Sequence, residues 1–112
     1  MSKYDFSKQS KRIIAERDNF ICIRCSTRYR LSYAHFIPQS KGGLGIPENG
    51  VLLCYDCHHA LDNGHDTALA NEIHEYIKEY LTSHYGGIMN EKIIYNKWKG
   101  FEIKWMLKTL EK

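Results

Sequence analysis

The chain has no long hydrophobic run, although 43% of its 112 residues are hydrophobic. A membrane-spanning helix needs about 18–20 consecutive apolar residues, so no membrane partner is expected. The first residues lead into charge at Lys3 and Asp5 rather than into an apolar segment, so the sequence predicts no secretory signal peptide. Internal repeats and low-complexity tracts are lacking as well. We therefore expect one small cytoplasmic domain over residues 1–112.

Apolar runs are scarcest within residues 19–64, so the core of this segment is expected to be thin. A chain of this size buries only about 60–70% of the surface that its unfolded form exposes. A structural metal would supply the missing folding energy, because zinc contributes roughly 10–16 kcal/mol of apparent binding energy in small zinc domains.

The four cysteines fall into two pairs with the same C-x2-C spacing. Such a turn directs two sulfurs to one point, and zinc prefers four donors in a tetrahedron. Disulfides are the alternative, but they belong to oxidising compartments, and a redox pair would need only one C-x2-C. The spacing therefore predicts one structural Zn²⁺ held by Cys22, Cys25, Cys54 and Cys57.

The net charge of +3 is only mildly basic, but many of the basic residues lie in the first 41 positions. The basic residues that form this cluster in the sequence are Lys8, Lys11, Arg12, Arg17, Arg24, Arg28, Arg30 and Lys41. Phosphate backbones attract such clusters through counterion release. Ordinary solvated side chains are the alternative. Because only Asp5, Glu16 and Asp18 are acidic there, a polyanion partner is favoured, with DNA contacts expected at Arg28, Arg30 and Lys41.

Apolar spacing and breaking residues predict the order of the elements. We expect a helix over 6–17 with Ile13 and Ile14 turned inward, strands over 31–36 and 51–53, and a helix over 57–63. Asp66 would cap a longer helix to about residue 84, with an apolar stripe formed by Leu69, Ile73, Ile77 and Leu81. The tail, 88–112, is expected to pack as a short strand or loop and a helix.

These elements predict an α+β fold, in which a small zinc-clipped ββα unit has an N-terminal helix and a C-terminal helical extension. The stretch 33–43, then Asn49, then the second cysteine pair followed by His58, resembles HNH (His-Me finger, ββα-metal) endonucleases. The stretches 43–46 and 61–64 are similar to the small phage-encoded branch of that family. On this resemblance, residues 1–112 form a single nuclease domain with its core at 17–64 and a helical extension at 66–112.

The resemblance implies a metal-dependent DNA endonuclease that hydrolyses phosphodiester bonds and leaves 5′-phosphate and 3′-hydroxyl ends. The phage branch adds a phage DNA-processing or packaging partner. In the family, the position of His35 is the general base, that of Asn49 ties the loop to the strand and positions the base, and that of His58 binds the catalytic cation. From the residues alone, a structural histidine, a turn asparagine and a histidine beside the zinc remain the alternatives.

The sequence departs from the family at Ala34, where many members carry a cation-binding Asp or His. Alanine has no donor atom. Asp62 follows His58 by one helical turn and is the candidate replacement, with an ordinary surface acid as the alternative. An imidazole and one carboxylate do not distinguish Mg²⁺, Mn²⁺, Ni²⁺ and Zn²⁺. An Ala34→Asp substitution is expected to strengthen cation binding.

A non-catalytic zinc-ribbon module that binds nucleic acid is the competing interpretation, and Ala34 is its best support. A protein adaptor that uses the aromatic tail at 95–105 is a third, although burial of those aromatics in the core explains them better. In a nuclease, the imidazoles of His35 and His58 should converge on one open point away from the cysteines. In a ribbon they should diverge or be buried. The sequence indicates neither an oligomeric state nor a base-reading helix.

Overall fold

The computed structural model describes residues 2–86, and within them a helix precedes a two-stranded sheet and two further helices. These elements are α1 (Lys8–Arg17), β1 (Leu31–His35), β2 (Gly50–Cys54), α2 (Tyr55–Asp62) and α3 (Thr67–Tyr85). Short 3-10 turns at Gln39–Lys41 and Pro47–Asn49 lie in the loop between the strands. The predicted α+β class and element order are confirmed. The predicted tail, 88–112, lies outside the described residues.

Helix α1 begins after Ser7, whose hydroxyl accepts a hydrogen bond from the backbone N–H of Ser10 at 3.1 Å, and Asp18 caps its C-terminal end. Ile14 is fully buried, whereas Ile13 is 41% exposed. The prediction that both isoleucines turn inward was therefore wrong. Consecutive residues on a helix point about 100° apart, so only one of the two faces the core.

The two strands pair antiparallel, with Tyr33 opposite Leu52, Ala34 opposite Val51 and His35 opposite Gly50. Because side chains alternate between the faces of a sheet, the strands supply two separate cores. Ala34 and Val51 pack with buried residues of α2 and α3. Leu52 packs on the other face with residues of α1, and Tyr33 lies against that cluster. No strand pairs with the outer edge of β1 within residues 2–86.

Helices α2 and α3 follow closely after β2. Helix α2 starts at Tyr55, two residues before the predicted start, because the extended Cys54 already takes the capping position. Asp66 caps α3 as predicted, and its carboxylate accepts from the backbone N–H of Leu69 at 3.0 Å. The predicted stripe is confirmed, since Ile73, Ile77 and Leu81 are buried and Leu69 packs against the same cluster. No helix in the described range is long and apolar enough to cross a membrane.

A buried ion pair joins α1, β2 and α3. The guanidinium of Arg17 donates to the carboxylate of Asp18 at 2.6 and 2.9 Å. Asp18 also accepts from the backbone N–H of Leu52 and from the hydroxyl of Tyr80. Burial raises the pKa of Tyr80, and Asp18 raises it further, so the hydroxyl stays protonated as a donor. Arg17 is only 10% exposed, which corrects its inclusion among the basic residues available to DNA.

Candidate active site

The four cysteines meet at one point between the α1–β1 loop and the start of α2. Their sulfurs all lie within 4.8 Å of one another, and those of Cys25 and Cys54 are 3.5 Å apart. None of the four forms a disulfide. A tetrahedral zinc with bonds of about 2.3 Å would separate its sulfur ligands by about 3.8 Å. The donors and their spacing therefore fit a structural Zn²⁺ held by all four side chains.

The pKa values of the thiols in this cluster shift in opposite directions. Burial, together with the neighbouring sulfurs of Cys54 and Cys22, raises the pKa of the Cys57 thiol to about 12. Burial also acts to raise the pKa of Cys22, but backbone N–H groups lower it to about 7. Arg24 donates to the sulfur of Cys57 at 3.8 Å. Arg24 therefore contacts the cysteine cluster, and its Nη2 also lies 3.8 Å from Oε1 of Glu72.

A separate, open cleft of about 900 Å³ lies along the outer edge of β1. His35, His58 and Asp62 all line it, and none of the four cysteines does. The remaining lining residues are Asp5, Phe6, Lys11, Ser32, Tyr33, Pro38, Gln39 and Ser40. The two imidazoles thus line one open space apart from the cysteine cluster.

His35 stands at the end of β1, where the N-terminal segment fixes its ring. Its Nε2 atom lies 2.7 Å from the backbone carbonyl of Tyr4. A carbonyl only accepts, so Nε2 carries the proton, and the neutral ring keeps its lone pair on Nδ1. The ring of Phe6 stacks on the imidazole at 4.2 Å. Gly50 makes room for this ring, because a Cβ at that position would lie 2.5 Å from an edge carbon of Phe6.

Asn49 is fully buried and ties the interstrand loop together. Its Oδ1 accepts from the backbone N–H of Ile37 at 2.8 Å, and its Nδ2 donates to the carbonyls of Ile37 and Leu44. Gly43 packs against this amide so closely that a Cβ would lie 2.9 Å from Nδ2. Asn49 therefore holds the chain two residues beyond His35.

His58 lies on α2 between two partners. Its Nδ1 is 2.6 Å from the hydroxyl of Ser32, and its Nε2 is 2.9 Å from Oδ2 of Asp62. The single proton of Ser32 is donated to the carbonyl of Leu53 at 3.3 Å, so Ser32 accepts from Nδ1–H. When Nδ1 carries the proton of the neutral ring, Nε2 presents its lone pair to a cation shared with Asp62, and a second proton on Nε2 makes the contact with Asp62 an ion pair.

Residues 22–64 match the model of the HNH endonuclease family. The chain carries an HNH endonuclease family domain. The matched segment contains all four cysteines together with His35, Asn49, His58 and Asp62. A comparison with curated proteins found no significant match. The N-terminal segment that fixes the ring of His35 lies outside the matched part of the HNH domain.

Ala34 of the HNH domain is fully buried in the core that includes Phe36 and Val51. Its Cβ therefore faces apolar side chains, because alternation places it on the opposite face from His35. An aspartate here would bury a carboxylate among hydrocarbon, at a cost of several kcal/mol. This burial gives no support to the expectation that Ala34→Asp would strengthen cation binding, which stays a prediction.

The basic residues predicted to bind DNA, Arg28, Arg30 and Lys41, are exposed, but none of them lines the cleft of the HNH domain. Lys11 does line it, and its ammonium lies 5.6 Å from the ring centroid of Tyr33. A positive charge inside the cleft is therefore supplied by α1.

Two contributors to the candidate site have no recognisable signal in the sequence. Ser32 is an ordinary strand serine until the fold brings α2 against it, and the carbonyl of Tyr4 has no side-chain signature at all. The capping Ser7 and the apolar Phe6 could have indicated that the N-terminal segment is anchored. Neither would have shown that it reaches His35.

Proposed function

We propose that this protein is a metal-dependent DNA endonuclease that hydrolyses phosphodiester bonds with His35 as the general base. The observation that carries the proposal is the placement of His35, His58 and Asp62 on one open cleft away from the cysteine cluster. The HNH family domain supports the same reaction class. A cleft open on one side suits a polymer substrate, whose backbone can lie across it.

His35 would take the proton from the attacking water at Nδ1. This is the ring atom that carries the lone pair when Nε2–H is held by the carbonyl of Tyr4. Imidazole exchanges protons near neutral pH, which suits a general base. The stacked Phe6 and the loop held by Asn49 would keep the ring in position.

Nε2 of His58 and Oδ2 of Asp62 would hold one divalent cation in place of the proton they share. They lie 2.9 Å apart, close to the roughly 3.0 Å between adjacent ligands of an octahedral ion with bonds of about 2.1 Å. A bound cation would stabilise charge on the cleaved phosphate and on the leaving 3′-oxygen.

The remaining parts have supporting roles. Lys11 inside the cleft, and the exposed Arg28, Arg30 and Lys41, would bind flanking phosphates. The four thiolates leave no open position on a zinc, so that site would be purely structural. The products would carry 5′-phosphate and 3′-hydroxyl ends. We place this activity in the cytoplasm of a bacterial or phage-infected cell, where thiols stay reduced.

Nicking of supercoiled plasmid tests the proposal against the non-catalytic zinc-ribbon module that Ala34 favours. The wild type should nick DNA with Mg²⁺ or Mn²⁺. His35→Ala should lower the rate by about 10²–10⁴-fold without loss of zinc or fold. His65→Ala is the matched control, because His65 is exposed and does not line the cleft.

Two results would overturn the proposal. A wild type that binds DNA but stays inert with every divalent ion establishes the binding module. A His35→Ala variant that nicks at the wild-type rate removes His35 as the base.

A further inference from the structure

A second cavity of about 280 Å³ adjoins the active-site cleft. Its lining residues are Ser32, Tyr55, His58, His59, Asp62 and Asn63. Ser32, His58 and Asp62 line both cavities, so the two spaces meet at the residues proposed to hold the cation. Whatever occupies the smaller cavity would therefore lie beside the cleaved bond.

Tyr55 and His59 form part of the wall of the smaller cavity, and Arg30 lies over the ring of Tyr55. We call these three side chains the Tyr55 platform. The guanidinium of Arg30 lies 4.1 Å from the ring centroid of Tyr55. The ring of His59 lies 5.7 Å from that of Tyr55 at 47°. Tyr55 is nevertheless 49% exposed, and Arg30 and His59 are exposed as well. The Tyr55 platform thus presents aromatic and cationic planes to solvent.

Nucleobases are the ligands whose chemistry fits such planes. Bases stack on aromatic rings and on guanidinium planes, while the arginine charge attracts the adjoining phosphate. Tyr55 precedes His58 by three residues on α2, so the two side chains are neighbours on one helix face. A nucleotide whose phosphate lies at His58 can therefore place its base on Tyr55, provided that the base is not stacked in a duplex.

We propose that the Tyr55 platform receives an unpaired base next to the cleaved phosphodiester. The substrate class is then DNA with unpaired nucleotides: a single strand, a bulge or a gap. The inference rests on the proposed function, because it assigns the cleaved phosphate to the His58–Asp62 pair. A base in intact duplex would first have to leave its stack, and this costs least for a base that is already unpaired.

The acidic residues near the platform do not oppose this assignment. Asp62 is paired with His58. Asp56 is exposed and follows Tyr55 by one residue, so it points about 100° away around α2. Arg30 lies over the ring of Tyr55, where it adds positive charge for the strand that carries the base, and the exposed Arg28 precedes it by two residues in the loop before β1.

Binding without added divalent cation separates this inference from cleavage. The zinc-loaded full chain is titrated into one sequence that carries a central 2-aminopurine, as a single strand, as a bulge and fully paired. The wild type should bind the single strand and the bulge more tightly than the duplex, and stacking should quench their fluorescence. Tyr55→Ala should weaken binding of these two by about 5- to 100-fold and abolish the quenching.

Matched variants show whether stacking is responsible. Tyr55→Phe keeps the ring and should bind like the wild type, and Arg30→Gln should weaken the same two ligands. Phe20→Ala removes another exposed ring, which is 61% exposed and lines neither cavity, and should change nothing. Equal affinity of the wild type for all three ligands, or unchanged binding by both Tyr55→Ala and Arg30→Gln, overturns the inference.

Cleavage of the same oligonucleotides with Mn²⁺ distinguishes the two proposals. Faster cleavage of the bulge than of the duplex, reduced by Tyr55→Ala, supports both. Cleavage of the duplex at an equal or higher rate overturns the substrate class and leaves the endonuclease intact. Selective, Tyr55-dependent binding with no cleavage of any ligand supports the platform and overturns the catalytic proposal.

Discussion

The Nε2 atom of His58 lies 2.9 Å from Oδ2 of Asp62, one turn further along α2. We expect this contact to affect how tightly the catalytic cation is bound. Asp62→Asn keeps the shape of the side chain but removes its charge, so the concentration of Mn²⁺ for half-maximal cleavage should rise by at least about tenfold. Asp56→Asn, on the same helix but outside both cavities, should not alter it. Unchanged metal dependence of Asp62→Asn would leave water and DNA phosphates as the other ligands.

Ser32 should act through His58, because the hydroxyl of Ser32 lies 2.6 Å from the Nδ1 atom of that ring. Ser32→Ala frees the ring to rotate and should weaken cation binding by about 10–100-fold. Ser32→Thr retains the hydroxyl and should restore most of the affinity. Metal titrations of cleavage, with the His58 tautomer followed by ¹⁵N NMR, check this. If Ser32→Ala leaves both the tautomer and the metal titration unchanged, Ser32 does not orient the ring.

Zinc should be required for the fold. Purified protein should contain one zinc per chain, and Cys54→Ser should lose cooperative thermal unfolding, because zinc binding supplies roughly 10–16 kcal/mol in domains of this kind. Metal analysis and thermal melts measure both effects. Purified protein with no zinc, or a Cys54→Ser variant as stable as the wild type, would contradict the assignment of all four cysteines.

Phe6 should support catalysis from outside the HNH domain, because its ring stacks on His35 at 4.2 Å. Phe6→Leu keeps an apolar side chain but loses the flat surface, so kcat should fall by about 10–100-fold while DNA affinity stays. Ile14→Val is the control, since it lies in the same core cluster and should cost about 0.5–1.5 kcal/mol of stability without lowering kcat. Equal kcat in both variants would show that the stacking is only structural.

The Arg17–Asp18 pair should matter for stability rather than for DNA binding. Asp18→Ala leaves a buried guanidinium without its carboxylate and should cost about 3–5 kcal/mol in urea unfolding. Tyr80→Phe removes one hydrogen bond to that carboxylate and should cost about 1.5–3 kcal/mol. Arg12→Ala breaks an exposed pair with Glu16 and should have little effect. If Arg12→Ala and Asp18→Ala lower the free energy of unfolding by similar amounts, the buried Arg17–Asp18 pair matters no more for stability than an exposed pair.

The same network predicts an alkaline limit to stability. Burial and Asp18 raise the pKa of Tyr80 in the folded state above its usual value near 10. The contribution of Tyr80 is therefore fully present below about pH 10 and is lost as the pH rises through the folded pKa. The wild type should lose unfolding free energy more steeply above about pH 10 than Tyr80→Phe, and parallel curves would contradict this.

The sequence by itself determined the features that depend on local spacing. Two C-x2-C pairs specify four converging sulfurs, and the α3 stripe of Ile73, Ile77 and Leu81 specifies a buried helix face, since each pattern lies within a few residues of chain. The one-turn separation of His58 and Asp62 likewise places their side chains in contact on any regular helix. The HNH domain was identifiable for the same reason, because order and spacing carry it.

Only the tertiary structure decided which faces and partners these residues acquired. Nothing near Arg17 in the sequence indicates that β2 and α3 will enclose it, and nothing near Ala34 fixes its side chain in the core. The carbonyl that accepts from Nε2–H of His35 belongs to Tyr4, which lies 31 positions earlier in the sequence. Backbone groups carry no residue-specific signal in the sequence. Such pairings form only when separate elements pack together, so local sequence does not predict them.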